Sequence, residues 1–202
     1  MTDKVKKELE YISDLIYRLK QWETLNEEEV KALVREFNTI PREEWSSYRV
    51  ELLRDSEVGS ILLSIGEKYG TSADILKYVI SSIGNLIVRY KLEPTDDLYN
   101  FFLAHKDNTK VGYYVSLFIF DFPQFESYKE KWDYILSIPG FAPRKDSANV
   151  FFRTIQKYSS EIPDTYLLDV ISLLTNIAEN AGEYTREKFI DLITMLKRTS
   201  KT

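Results

Sequence analysis

The stretch from residue 71 to residue 90 reads TSADILKYVISSIGNLIVRY, and it decides the fold. Its apolar and small side chains recur at helical spacing on two neighbouring faces. The first face holds Ile75, Val79, Ser82, Leu86 and Tyr90, and the second holds Leu76, Ile80 and Ile87. The side chains of Thr71 and Ser72 offer caps for the helix start. Apolar cover this wide predicts a central, mostly buried helix.

Amphipathic helices are predicted on both sides of this segment. N-terminal to it, an apolar stripe at spacings of three and four predicts a helix over residues 3–20. Thr24 and Glu27 have the spacing of a capping box, which predicts the start of a second helix. Because proline disfavours a helix interior, Pro41 is predicted to break that helix and to open a third. A fourth helix is expected over residues 57–69.

The C-terminal half is divided by proline, glycine and asparagine breaks. A short helix is predicted after Pro94, with Asp96 and Asp97 in its first turn, where the helix dipole favours acids. Further helices are expected near 109–121, 124–137, 146–159, 164–181 and 184–198. The aromatic and β-branched stretch 111–122 is compatible with a buried strand or a buried helix.

An offset of about 40 residues favours the helix for this stretch. Val111, Val115, Phe118, Phe122 and Pro123 align with Phe151, Ile155, Tyr158, Ile162 and Pro163. Helix pairs separated by an apolar-proline break and recurring at this period resemble the repeats of HEAT and armadillo proteins. The resemblance covers roughly residues 24–181 and carries over no functional residues.

Together these patterns predict an all-α single domain over residues 1–202, with about 10–11 helices. Antiparallel helix pairs would stack as a short α-solenoid or an irregular multi-helix bundle. In this arrangement residues 1–23 form an N-terminal capping helix, residues 24–181 the helix-pair repeats, and residues 184–198 a C-terminal capping helix.

Composition limits the classes of function. The chain has a net charge of −5 and a pI near 5.1, which argues against a phosphate backbone as its main partner. It contains no cysteine, so neither a disulfide framework nor a thiolate zinc site is available. Residues 1–10 are charged and carry no apolar run, so neither a signal peptide nor a membrane anchor is expected. These features predict a soluble, cytoplasmic protein.

No catalytic constellation is recognisable. His105 is the only histidine, so a histidine zinc set is absent, and a surface or capping role is expected for it. The seven glycines form no Gly-x-Ser-x-Gly elbow and no phosphate-binding loop. Acidic pairs such as Asp96 with Asp97 lie at helix starts, where capping accounts for them. We therefore expect no catalytic residue, no metal and no cofactor.

Two surfaces are candidates for binding a partner. Residues 1–57 carry 10 basic and 14 acidic side chains, which indicates either solvated helix faces or an acidic patch that attracts a basic protein. The acidic candidates are Glu27, Glu28, Glu43, Glu44, Glu51 and Asp55. Tyr128 and Trp132 represent a second, aromatic surface, since Tyr and Trp are enriched at binding hot spots.

The sequence thus favours a non-enzymatic helical protein that binds another protein, and not a membrane or a nucleic acid. A bacterial immunity protein or antitoxin that blocks a toxin domain is one analogy, and an adaptor or scaffold is another. The alternative is a HEAT-like nucleic-acid-processing enzyme of the alkyl-base DNA glycosylase type. A structure in which Arg144, Lys145, Arg153 and Lys157 converge with a buried carboxylate and two aromatic rings on one concave surface would favour that alternative.

Overall fold

A computed structural model describes residues 2–43 and 45–199, and 79% of these residues are helical with no strand among them. The all-α prediction is confirmed. The helices are α1 (Asp3–Lys20), α2 (Glu27–Arg42), α3 (Val50–Leu53), α4 (Ser56–Lys68), α5 (Ala73–Tyr90), α6 (Asp96–Ala104), α7 (Gly112–Phe118), α8 (Lys131–Ser137), α9 (Arg144–Lys157), α10 (Asp164–Glu179) and α11 (Glu183–Thr199). Short 3₁₀ turns cover Trp22–Thr24, Ser47–Arg49, Ile119–Asp121, Pro123–Ser127 and Ile138–Gly140.

The chain separates into two compact units. The N-terminal unit is Met1–Ser127 and holds α1 to α7, and the C-terminal unit is Tyr128–Thr202 and holds α8 to α11. The N-terminal unit carries 16 basic and 22 acidic side chains, a net charge of −6, whereas the C-terminal unit carries 11 and 10, a net charge of +1. Folding of residues 1–202 as one domain stays a prediction, as does the helical-repeat arrangement.

Helix α5 is the centre of the N-terminal unit, as its periodicity predicts. It packs against α2, α4 and α7, and eleven of its 18 residues are buried. The backbone approaches α7 closely at Gly84, where a Cβ atom would lie 2.1 Å from Phe118 Cγ. The buried Ser82 hydroxyl lies 3.3 Å from Asn38 Oδ1 and donates a hydrogen bond to it, which links α5 to α2. Glycine and serine on this helix therefore serve packing.

The predicted break at Pro41 is wrong, because Pro41 lies inside α2, which ends at Arg42. A proline removes one backbone hydrogen bond and crowds the carbonyl four residues before it. Here the helix ends one residue after Pro41, so no further turn of helix has to follow the proline. The third helix is correspondingly short. It comprises only the four residues Val50–Leu53, preceded by the 3₁₀ turn Ser47–Arg49.

The start of α2 also differs from its prediction. Asn26, and not Thr24, is the N-cap, and it forms a capping box with Glu29. The Asn26 side chain accepts a hydrogen bond from the Glu29 amide at 3.1 Å, and the Glu29 carboxylate accepts one from the Asn26 amide at 2.9 Å. The Thr24 hydroxyl donates instead to the Gln21 carbonyl. Asparagine caps a helix at least as well as threonine, so the start moves by two residues.

The ambiguous stretch 111–122 is helical. It forms α7 and the 3₁₀ turn Ile119–Asp121, with Val115 and Ile119 fully buried. The single helix expected over 124–137 is wrong, because the 3₁₀ turn Pro123–Ser127 precedes a separate α8. The helices predicted near 146–159, 164–181 and 184–198 correspond to α9, α10 and α11, with ends that differ by two residues or fewer.

Candidate functional site

The acidic candidates lie at both ends of α2. Glu27 and Glu28 lie in its first turn, whereas Glu43 follows its last residue. A helix of 16 residues is about 24 Å long, so these ends are far apart compared with the range of a screened charge. Glu44 lies outside the described residues. Glu27 and Glu28 therefore lie far from Glu43, and a single acidic field on the second and third helices stays a prediction.

Four of the acidic side chains have partners close by. The contacts are Glu28 with Lys31 at 3.8 Å, Glu43 with Arg49 at 3.3 Å, Glu51 with Arg54 at 2.9 Å, and the Asp55 carboxylate with the Glu57 amide at 2.9 Å. The first three pair an acid with a cation, and the fourth caps the start of α4. Local structure thus accounts for these residues, and their role in binding a partner stays a prediction.

The two aromatic candidates take part in contacts within their own unit. Trp132 is half-buried, and its ring centroid lies 6.5 Å from that of Tyr158 and 6.3 Å from that of Tyr166. The Tyr128 hydroxyl donates a hydrogen bond to Glu130 at 2.7 Å. Trp132 therefore contributes to internal packing, and binding of a partner through Tyr128 and Trp132 stays a prediction.

His105 has a capping position, as expected. It follows the last residue of α6, is half-buried, and packs edge-on against Phe101 with 4.9 Å between the ring centroids. Burial lowers the pKa of its imidazole, since the charged form is poorly solvated there. These contacts identify His105 as a packed residue at a helix end.

A groove in the C-terminal unit, which sequence analysis did not predict, is the best candidate site. It has a volume of about 910 Å³ and lies between the first half of α9, the second half of α10 and the start of α11. Its polar lining comprises Arg144, Lys145, Asn149, Asn176, Asn180 and Thr185. Its apolar lining includes Ala148, Leu173, Ile177 and Phe189. We call this feature the α9–α11 groove.

The two cations of the groove are available to a ligand. Arg144 and Lys145 are exposed, and within residues 2–43 and 45–199 neither forms an ion pair. No Asp or Glu belongs to the described lining of the groove. The groove is therefore positively charged, although the whole chain is acidic.

Helical periodicity places the lining residues. Leu173, Asn176, Ile177 and Asn180 follow one another at spacings of three, one and three, so they form a single stripe along α10 and its C-cap residue, Asn180. The Asn180 amide donates to the Asn176 carbonyl at 2.8 Å and to its Oδ1 at 3.1 Å. Two asparagines four residues apart, on a helix stripe that is otherwise apolar, are the feature of the sequence that could have indicated the groove.

The basic cluster of the enzyme alternative is divided along α9. Arg144 and Lys145 line the groove, whereas Arg153 and Lys157 are exposed and do not. Among the described residues no Asp or Glu is buried, and Phe189 is the one aromatic residue in the groove lining. The geometry of α9 thus lends no support to the alkyl-base glycosylase alternative.

Comparisons of the chain with protein-family models, curated proteins and solved structures found no match. Across the described part of the chain, no helix combines the length and apolarity needed to span a bilayer. The same residues contain no group of three or more His, Cys, Asp or Glu side chains that could hold a metal ion. The α9–α11 groove is therefore the structural feature that bears on function.

Proposed function

We propose that this chain is a non-enzymatic protein-binding helical protein, and that the α9–α11 groove is where its partner binds. The observation that carries the proposal is the composition of the groove. It combines an apolar floor with amide, hydroxyl and cationic groups at its edge. Binding sites of this kind use apolar surface for affinity and a few polar groups for orientation.

The polar groups of the groove suit a polypeptide. Asparagine side chains both donate and accept hydrogen bonds, which matches the alternating N–H and C=O groups of a peptide backbone. The side chains of Asn149 and Thr185 form no hydrogen bond within the part of the chain that the structure describes. These two groups are therefore available to a bound segment.

More specifically, we propose that the chain is an immunity protein or antitoxin. An adaptor or scaffold protein would use the groove in the same way, but it would bind a different kind of partner. Identification of a captured partner as a toxin domain would support the immunity form, whereas a complex of several non-toxic proteins would support a scaffold.

Filling the groove tests the proposal. Ala148 is half-buried in the groove lining, so Ala148→Trp should occupy the space that a partner needs. The tagged variant should recover much less of the partner from native cells than the parent chain does, measured by quantitative mass spectrometry. Arg153→Trp is the matched control, since Arg153 is exposed on the same helix outside the groove.

Equal recovery by Ala148→Trp and the parent chain would reject the groove as the binding site. Melting temperatures of both variants should stay close to that of the parent chain, which separates a blocked groove from an unfolded one.

A further inference from the structure

We infer that the α9–α11 groove takes an acidic, amphipathic protein segment, with carboxylates at Arg144 and Lys145 and apolar side chains on the floor. This inference rests on the proposed protein-binding function and specifies the chemistry of the partner. It reverses the expectation from composition, in which an acidic chain attracts a basic protein.

Charge complementarity is the first reason. Arg144 and Lys145 are adjacent in the first turn of α9, both are exposed, and neither forms an ion pair with a described carboxylate. A basic segment would place like charges together in the groove, which costs free energy, whereas a carboxylate would pair with a guanidinium in a bidentate geometry. The groove therefore selects against basic partners.

The apolar floor is the second reason. Leu173 and Ile177 are half-buried and lie one turn apart on α10, so each keeps apolar surface exposed to the groove. Pockets of about 300–1,000 Å³ bury drug-sized ligands, and the groove, at about 910 Å³, can take several side chains. A segment with an apolar face next to an acidic face satisfies both parts of the lining.

A nucleic acid fits the groove less well. Phosphate binding needs several cations, and single-stranded binding also needs exposed aromatic faces on which bases stack. The described lining of the groove has two cations and one aromatic residue, Phe189, which is only 2% exposed. The apolar floor is thus better suited to aliphatic side chains than to bases.

Peptide selection tests the inference. A displayed library of 16-residue peptides with a leucine stripe and randomised Glu, Gln and Lys at the remaining positions is selected against the full chain. Enriched peptides should carry a net negative charge. Their affinity for the double variant Arg144→Glu, Lys145→Glu should fall by about tenfold or more, because attraction becomes repulsion.

The control variant is Arg153→Glu, Lys157→Glu, which makes the same charge change on the same helix outside the groove. It should keep affinity within about twofold of the parent chain at 0.15 M salt, where the Debye length is about 8 Å. Enriched peptides that are neutral or basic, or an equal loss in both double variants, would overturn the inference. The absence of any enriched peptide would also overturn it. So would selective binding of a 16-nucleotide oligo(dT) to the parent chain, if the double variant Arg144→Glu, Lys145→Glu lost that binding.

The same library separates this inference from the proposed function. Neutral or basic peptides whose binding is abolished by Ala148→Trp would retain the groove as a protein-binding site and reject the acidic partner. Enriched peptides that bind Ala148→Trp and the parent chain equally would reject both.

Discussion

Truncation of Ile80 or Leu86 to alanine is expected to lower the free energy of unfolding by about 2 to 5 kcal/mol. Both side chains have no solvent-exposed surface, and they lie on α5, which packs against α2, α4 and α7. Each truncation removes apolar contacts and leaves a cavity that close packing prevents the neighbours from filling. Urea denaturation monitored by circular dichroism measures the change.

Val88→Ala is the control on the same helix, because the Val88 side chain is 39% exposed and leaves no enclosed cavity. It should change the free energy of unfolding far less than either core truncation. A loss below about 0.5 kcal/mol for Ile80→Ala would place the change in the range of surface substitutions and contradict the central position of α5.

Replacement of Arg49 by methionine should lower the free energy of unfolding by roughly 2 to 3 kcal/mol, because a partly buried carboxylate loses its cation. The Arg49 side chain is only 9% exposed and pairs with Glu8 of α1, whose side chain is 21% exposed. The Arg49 guanidinium also donates to the Ile40 carbonyl at 3.4 Å, and the Tyr48 hydroxyl donates to Glu8 at 2.8 Å. This network joins α1 to the end of α2.

The pH dependence of stability checks the same network. Burial alone would raise the pKa of Glu8, but hydrogen bonds from Tyr48 and Arg49 outweigh it and lower the pKa below 4.5. A lowered carboxylate pKa contributes stability that is present above pH 4.5 and is lost as pH falls through the folded-state pKa. The stability difference between Arg49→Met and the parent chain should therefore narrow below pH 4.5.

Arg54→Met provides the comparison, since Arg54 pairs with Glu51 on the surface, where both side chains are more than half exposed. Such pairs contribute little to stability. If Arg54→Met and Arg49→Met destabilised the chain equally, or if the Arg49→Met difference were constant from pH 7 to pH 3, the pairing of Arg49 with Glu8 would not stabilise the contact between α1 and α2.

Helix positions could be predicted where the apolar period was long. The two faces of α5 were readable because eighteen residues keep the period without interruption. The ends of the other helices were harder to predict, because neighbouring residues compete to cap or to break a helix. Proline disfavours a helix interior, but the last turn of α2 tolerates Pro41, and Asn26 provides a better cap than Thr24. Where a helix begins and ends depends on free-energy differences of a few tenths of a kcal/mol to a few kcal/mol between alternative residues. The spacing of apolar residues gives no information about these differences.

The groove itself was not predicted, although two of the residues that line it were named as candidates. Arg144 and Lys145 were candidates, but Arg153 and Lys157, which were grouped with them, lie in the second half of α9, outside the groove. Contact of the α9 residues with Leu173 and Phe189 depends on how three helices pack, which is tertiary information. The separation of Glu27 and Glu28 from Glu43 likewise depends on the length of α2, which the sequence pattern did not give correctly.

Photo-crosslinking from inside the groove tests the central claim most directly. Benzoylphenylalanine is placed at Asn149, which is exposed in the groove lining, and in a second version of the chain at Arg153, which is exposed outside it. After irradiation of native cells, the Asn149 version should give a discrete crosslinked species containing a second protein, and the Arg153 version should not. No discrete species from Asn149, or the same species from both positions, would contradict binding in the α9–α11 groove.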